Sequence, residues 1–167
     1  MYKRQARNTK LLIAEDQVLA KSHMHYALEQ LGFKNMNYVD RPSHALSALQ
    51  EHDYDAIICS YNLRSEQGGY FLLEQLNETQ SLPLTSAFIF TSADTSAEVV
   101  HAIIELQPDE FIAKPFSVNE LDRRLSRVLS RKKALKRSLL KNQLRKLRKK
   151  RIAKKPISKQ LLKKLKT

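Results

Sequence analysis

Short apolar runs alternate with stretches in which apolar residues recur three or four positions apart, and the alternation repeats five times before the chain turns strongly basic. Leu11–Ala14 reads as a buried strand. Ala20, Met24, Ala27, Leu28 and Leu31 then recur at helical spacing up to Gly32, a residue suited to ending a helix. Met36–Asp40 fits a second strand, and Pro42 opens a short helix with Ala45, Leu46 and Leu49 turned inward. Asp55–Ser60 is the third strand, followed by a loop containing Gly68 and Gly69 and a helix marked by Leu72, Leu73 and Leu76. Ala87–Thr91 is the fourth strand. Thr95 and Glu98 have the spacing of a capping box, and Val99, Val100, Ile103 and Ile104 form the buried side of the helix they open. Phe111–Ala113 is the last strand, Lys114-Pro115 a turn, and Ser117 with Glu120 a second capping box.

Five βα units in about 120 residues predict an α/β fold in which helices cover both faces of a parallel sheet. Its crossovers should be right-handed, and its functional crevice should lie beyond the carboxyl ends of the strands. The residues at those ends are Glu15-Asp16, Ser60, Thr91 and Lys114.

Charge changes this picture at one end only. The 167 residues carry a net charge of +13, yet residues 131–167 hold 18 Lys/Arg and no Asp/Glu, which leaves residues 1–130 at −5. A mildly acidic domain therefore bears a basic appendage. From Ser117 onward Val118, Leu121, Leu125, Val128, Leu135, Leu139, Leu140, Leu144 and Leu147 keep near-helical spacing, with no Pro or Gly until Pro156. This predicts a last helix reaching about residue 150, or about 50 Å at the α-helical rise.

The single cysteine, Cys59, lies in an apolar run and cannot form an internal disulfide, so a reducing, cytoplasmic location is expected. The apolar stretch Leu11–Ala14 is too short for a secretory core or a membrane span. The five histidines show no metal-ligand spacing, and Gly68-Gly69 has nothing of a nucleotide-binding fingerprint around it.

The order of motifs resembles the receiver domain of bacterial two-component response regulators over roughly residues 9–130. Leu12-Ile13-Ala14-Glu15-Asp16 matches the family's acidic pair, Phe90-Thr91-Ser92-Ala93 its hydroxyl position, and Phe111-Ile112-Ala113-Lys114-Pro115-Phe116 its lysine. The resemblance implies a flavodoxin-like, doubly wound five-stranded sheet and phosphorelay signalling with a histidine kinase or other signalling protein as partner. It further implies Mg²⁺ binding by Glu15 and Asp16, phosphoryl contacts from Thr91 and Lys114, and a switch aromatic at Phe111. Phe111 has no hydroxyl, and a phenylalanine on a strand is better explained as core. The match breaks at Ser60, which stands where the phosphoaccepting aspartate belongs; Arg64, where a proline is usual, and a one-residue insertion before Gly69 depart as well.

A serine without an adjacent base is a poor nucleophile at neutral pH and removes one anionic metal ligand. Conventional aspartyl phosphorylation is therefore not expected, Mg²⁺ binding by Glu15 and Asp16 is weak at most, and Lys114 is expected to neutralise one of that pair. The domain organisation read here is an N-terminal arm (1–9), a receiver-like domain (10–130) and a basic helical extension (131–167). The principal reading is an atypical, non-enzymatic receiver used as a protein-interaction module. Its alternatives are a nucleic-acid-associated protein binding phosphates through the extension, with Lys146, Arg148, Lys149, Lys150 and Arg151 at its centre, and an ordinary receiver. With no Phe, Tyr or Trp in residues 131–167, base stacking is excluded and backbone contact favoured. An anionic membrane surface ranks below nucleic acid, an acidic protein surface is a third candidate, and the sequence leaves the oligomeric state open.

Overall fold

Strands and helices alternate strictly in the computed structural model, which describes residues 6 and 8–153. The elements are β1 (Lys10–Ala14), α1 (Val18–Gln30), β2 (Asn35–Val39), α2 (Pro42–Glu51), β3 (Ala56–Ser60), α3 (Gly68–Glu78), β4 (Ala87–Ser92), α4 (Ala97–Glu105), β5 (Glu110–Ala113) and α5 (Val118–Ala153). Every strand pair is parallel and the order is β2-β1-β3-β4-β5, so the winding reverses between β1 and β3. Most of the N-terminal arm (residues 1–5 and 7) and the extension from residue 154, including Pro156, lie outside the described residues.

The sheet sorts its side chains by the two-residue period of a strand. Leu11, Ile13, Ala56 and Ile58 face α1 and α5, where they meet Met24, Leu28, Leu121, Leu125 and Val128. Leu12, Ala14, Ile57 and Cys59 face α2, α3 and α4, where they meet Ala45, Leu72, Leu73 and Ile103. Covering on both faces explains why β3 and β4 read as unbroken apolar runs.

Helix ends follow local chemistry. Gly32 takes φ 88° after α1 and donates its N–H to Glu29 O at 2.9 Å, while Phe33 donates to Leu28 O at 3.1 Å, closing the helix as the glycine predicted. Ser117 caps α5, its Oγ accepting from Glu120 N at 3.1 Å. Three expectations need correction. The cap of α4 is Ser96, whose Oγ accepts from Val99 N; Thr95 lies one residue too early for that bond. Ile104 is exposed, because one further residue past Ile103 rotates it about 100° away from the core. Gly68 and Gly69 begin α3 instead of forming a free loop. A Cβ on Gly69 would stand 2.1 Å from Ser60 O and one on Gly68 1.9 Å from Leu63 O, so the helix can approach the end of β3 only through glycine.

The chain divides into two units, Met1–Lys133 and Ala134–Thr167. Within the first, α5 is tied to the start of β5 by charge. Arg124 Nη1 donates to Glu110 Oε1 at 2.9 Å and to Phe111 O at 3.1 Å; Arg127 also binds Glu110, and Lys132 Nζ lies 2.9 Å from Asp109 Oδ1. Burial tends to raise the Glu110 carboxyl, but donation from Arg127, the Phe111 N–H and Arg124 outweighs it and holds the group below its ordinary 4.5. A carboxyl depressed in the folded state stabilises the fold above its unfolded value, and this contribution is lost as the pH falls through the folded one. Glu110→Gln should therefore flatten the acid limb of the stability curve below about pH 4.5, as read by urea unfolding at a series of pH values. In the second unit, residues 134–151 are helical and every one is exposed.

Candidate functional site

At the carboxyl edge of the sheet, Glu15 follows β1, Ser60 ends β3, Thr91 lies in β4 directly across from Ser60, and Lys114 follows β5. Parallel pairing brings together residues distant in sequence, and the reversal between β1 and β3 opens the space between them. Lys114 Nζ donates to Glu15 Oε2 at 2.6 Å and to Ser60 Oγ at 3.4 Å. The second Glu15 oxygen accepts the Gln17 N–H at 3.0 Å. The glutamate is 5% exposed, so this carboxylate has both oxygens committed inside the protein. The expectation that Lys114 neutralises the acidic pair thus resolves onto Glu15. Asp16 Oδ1, by contrast, is buried without a hydrogen-bond partner, alone in this among the described residues.

These groups do not form a good seat for Mg²⁺. That ion asks for about six hard oxygens in near-octahedral geometry. Glu15 is taken by Lys114 and Gln17, Ser60 offers a neutral hydroxyl, and only Asp16 has a carboxylate oxygen to spare. Among the described residues no group of three His, Cys, Asp or Glu side chains is placed to hold a metal.

Ser60 is 7% exposed and Thr91 2% exposed. The only side-chain neighbour of Ser60 Oγ within hydrogen-bond reach among the described residues is the Lys114 ammonium, a donor that cannot take the hydroxyl proton. Cys59 is equally inert, since burial first and the nearby Glu15 second push its thiol upward and keep it protonated. Phe111 pairs with Phe90 and packs against the cluster on the α2–α4 face, with no hydroxyl to exchange with Thr91. Phe111 is half-buried at the margin of that cluster.

Sequence reasoning missed a second feature of this edge. Asp40, at the end of β2, accepts from Arg41 Nε at 3.1 Å and Nη2 at 3.2 Å, lies 3.1 Å from His44 Nδ1, and has Arg64 Nη1 at 3.8 Å. The hydrogen bond from Arg41 chiefly holds its carboxyl down to about 2. Arg64, at φ 63°, therefore joins the loop after β3 to the end of β2. Both partners were visible as charges, but only the strand order makes them neighbours. Beside the Lys114–Glu15 pair a cavity of about 380 Å³ opens between α1 and the segment after β5, lined by Leu19, His23, Met24, Thr91, Lys114 and Phe116. His23 stacks on Phe116 with ring centroids 4.9 Å apart. Lys146, Arg148, Lys149, Lys150 and Arg151 belong to the second unit, as exposed helical residues.

Fold and strand-end residues define a receiver-type signalling domain. The profile of the response regulator receiver domain matches residues 11–126, and the chain belongs to that family. Among curated proteins it is 29% identical over 124 residues to the transcriptional regulatory protein LytR of Staphylococcus aureus, covering 74% of this chain and 48% of that protein. It is 28% identical over 116 residues to the probable chemotaxis protein CheY of Rhizobium etli, covering 70% of this chain and 88% of that one. The chain thus spans about half the length of the LytR proteins it matches. Among solved structures, the signal receiver domain of a signal transduction histidine kinase from Syntrophus aciditrophicus superposes with a TM-score of 0.65 at 27% identity, covering 73% of this chain and 90% of that domain. The chemotaxis response regulator CheY4 of Vibrio cholerae, at 19% identity and a TM-score of 0.63, shares the fold. No helix among the described residues is long and apolar enough to cross a membrane.

Proposed function

We propose that this chain is a receiver domain that signals by docking onto other signalling proteins and has lost conventional aspartyl phosphorylation. The observation that carries the reading is the closed Glu15–Lys114–Ser60 arrangement. The position of the nucleophile is a neutral hydroxyl facing a cation, and the carboxylate that would hold a metal is neutralised inside the protein. A serine in this setting needs a base to attack phosphorus, and among the described residues its hydroxyl is hydrogen-bonded by no base, only by the Lys114 ammonium. Mg²⁺ then binds weakly at most, through Asp16, and the chain works as an interaction module and not as an enzyme.

The partner class is a signalling protein, with a histidine kinase as its leading member. The cavity beside the site supports this, because its rim carries Leu19, 86% exposed, next to Val18, 70% exposed, two large apolar side chains that a protein partner would cover. A cytoplasmic location belongs to the same reading and suits the buried, protonated Cys59. A second reading rests on a separate observation: residues 134–151 carry nine Lys/Arg and no Asp/Glu on a fully exposed helix, which suits a polyanion such as nucleic acid.

Amide NMR spectra recorded with and without Mg²⁺ and beryllofluoride test the first reading. They should superimpose, apart from small shifts around Asp16 at high Mg²⁺. Saturable shifts centred on Ser60, Thr91 and Lys114 would instead make the chain an ordinary phosphorelay receiver.

A further inference from the structure

The basic groups of the second unit are not evenly spread. Arg137, Lys141, Arg145 and Arg148 follow one another at intervals of four, four and three residues, which places them within an arc of about 80° on the helix surface. Leu135, Leu139, Leu140, Leu144 and Leu147 spread over the other half of the helix, from Leu135 about 80° beyond one end of the row to Leu144 about 20° from the other. All nine side chains are exposed, and no carboxylate in residues 131–167 is available to pair with the four cations. A four-residue step along the row rises about 6 Å. Phosphates of one duplex strand are about 3.4 Å apart along the duplex axis, so the step of the row comes close to the roughly 6.8 Å between every second phosphate.

Building on the second reading above, we infer that residues 134–151 bind duplex nucleic acid through this one face, with Arg137, Lys141, Arg145 and Arg148 on the phosphates of one strand and most of the leucines turned away. Of the cations expected from sequence to bind, only Arg148 lies in this row, and Lys146, Lys149, Lys150 and Arg151 lie outside it. Charge complementarity selects a polyanion. Within the polyanions, the absence of Phe, Tyr and Trp from residues 131–167 removes the stacking platforms that single strands use, which leaves the duplex backbone. A lipid surface fits less well. Lys136, Lys146 and Lys150 fall among the leucines on the apolar side, and no aromatic anchor flanks them. Recognition is therefore independent of base sequence, because Lys and Arg on phosphates position a protein without reading bases.

The test uses the full chain and two fourfold variants of equal charge. One carries Arg137→Gln, Lys141→Gln, Arg145→Gln and Arg148→Gln. The other carries Lys136→Gln, Lys146→Gln, Lys149→Gln and Lys150→Gln. Glutamine keeps a helix propensity close to that of Arg and Lys, and circular dichroism confirms that both variants stay helical. Affinity for a labelled DNA duplex several turns long is followed by fluorescence anisotropy between about 50 and 200 mM salt. The first variant should lower the slope of log affinity against log salt by about 3 to 4, at about 0.9 per lost phosphate contact, and the second by about 1 or less. Equal losses in the two variants would overturn the one-face inference while leaving polyanion binding in place. A full chain that ignores duplex at the lowest salt but binds phosphatidylcholine vesicles containing phosphatidylglycerol, or binds neither, would overturn the nucleic-acid reading as well.

Discussion

On the function proposed above, Ser60→Asp is expected to turn a chain without phosphoryl uptake into one that takes up nearly one group per molecule from acetyl phosphate in the presence of Mg²⁺. The new carboxylate would stand within reach of Lys114, now 3.4 Å from the Ser60 hydroxyl, at the same carboxyl edge of the sheet as Asp16, whose Oδ1 is buried without a partner. It would supply the missing anionic ligand and the missing nucleophile together. It would also give Lys114 a second carboxylate, loosening the pair that closes the site. Two carboxylates beside one lysine, with Asp16 at the same edge of the sheet, repel one another without metal, so the variant should be less stable than the native chain in chelator. Saturating Mg²⁺, at about 100 times its dissociation constant, should then add about 2.7 kcal/mol to the variant, while the native chain shows little response. Thermal unfolding with and without Mg²⁺ measures the first effect and intact mass after acetyl phosphate the second. A folded variant that responds to neither would mean that the Arg64 loop has moved out of register with Glu15 and Asp16 as well.

Lys114→Met is expected to cost about 3 kcal/mol of folding free energy, read from urea unfolding at neutral pH. The methionine fills similar space but leaves the Glu15 carboxylate buried with only the Gln17 N–H for company. Breaking one side of a buried pair is far more costly than replacing both, because an unpaired charge stays behind. Adding Glu15→Gln to the same chain should therefore recover most of the loss. A single variant that costs under about 0.5 kcal/mol, the scale of an exposed pair, would show that the two groups are solvated and that the site is open.

The strand-end chemistry was legible because it depends on local pattern. Unbroken apolar runs such as Ile57-Ile58-Cys59 require a sheet covered on both faces, and the crevice of such a sheet lies at known positions, so Glu15, Ser60, Thr91 and Lys114 could be placed before any coordinates. The choice of Glu15 over Asp16 as the partner of Lys114 could not be read, since the two differ by one residue and only the path of the chain after β1 separates them. Thr95 and Ser96 are adjacent hydroxyl residues with equal claim to a cap, and the three-residue reach to Val99 decides for Ser96. Gly68-Gly69 resembled a loop because the constraint on it is the closeness of the Ser60 and Leu63 carbonyls, which lie elsewhere in the sequence. The links from Asp109 and Glu110 to Arg124, Arg127 and Lys132 left a faint trace, an acidic pair at the start of β5 and cations three and five residues apart on α5, that becomes meaningful only once the helix lies against that strand.

On the function proposed above, the receiver fold persists here without its phosphoryl chemistry. Incubation of the native full chain with acetyl phosphate and Mg²⁺, followed at once by intact-mass spectrometry at neutral and at acidic pH, tests it most directly. An unchanged mass is expected under both conditions, with the Ser60→Asp chain in parallel as the positive control. A native chain gaining close to one phosphoryl group per molecule, mapped within residues 11–126, would contradict it.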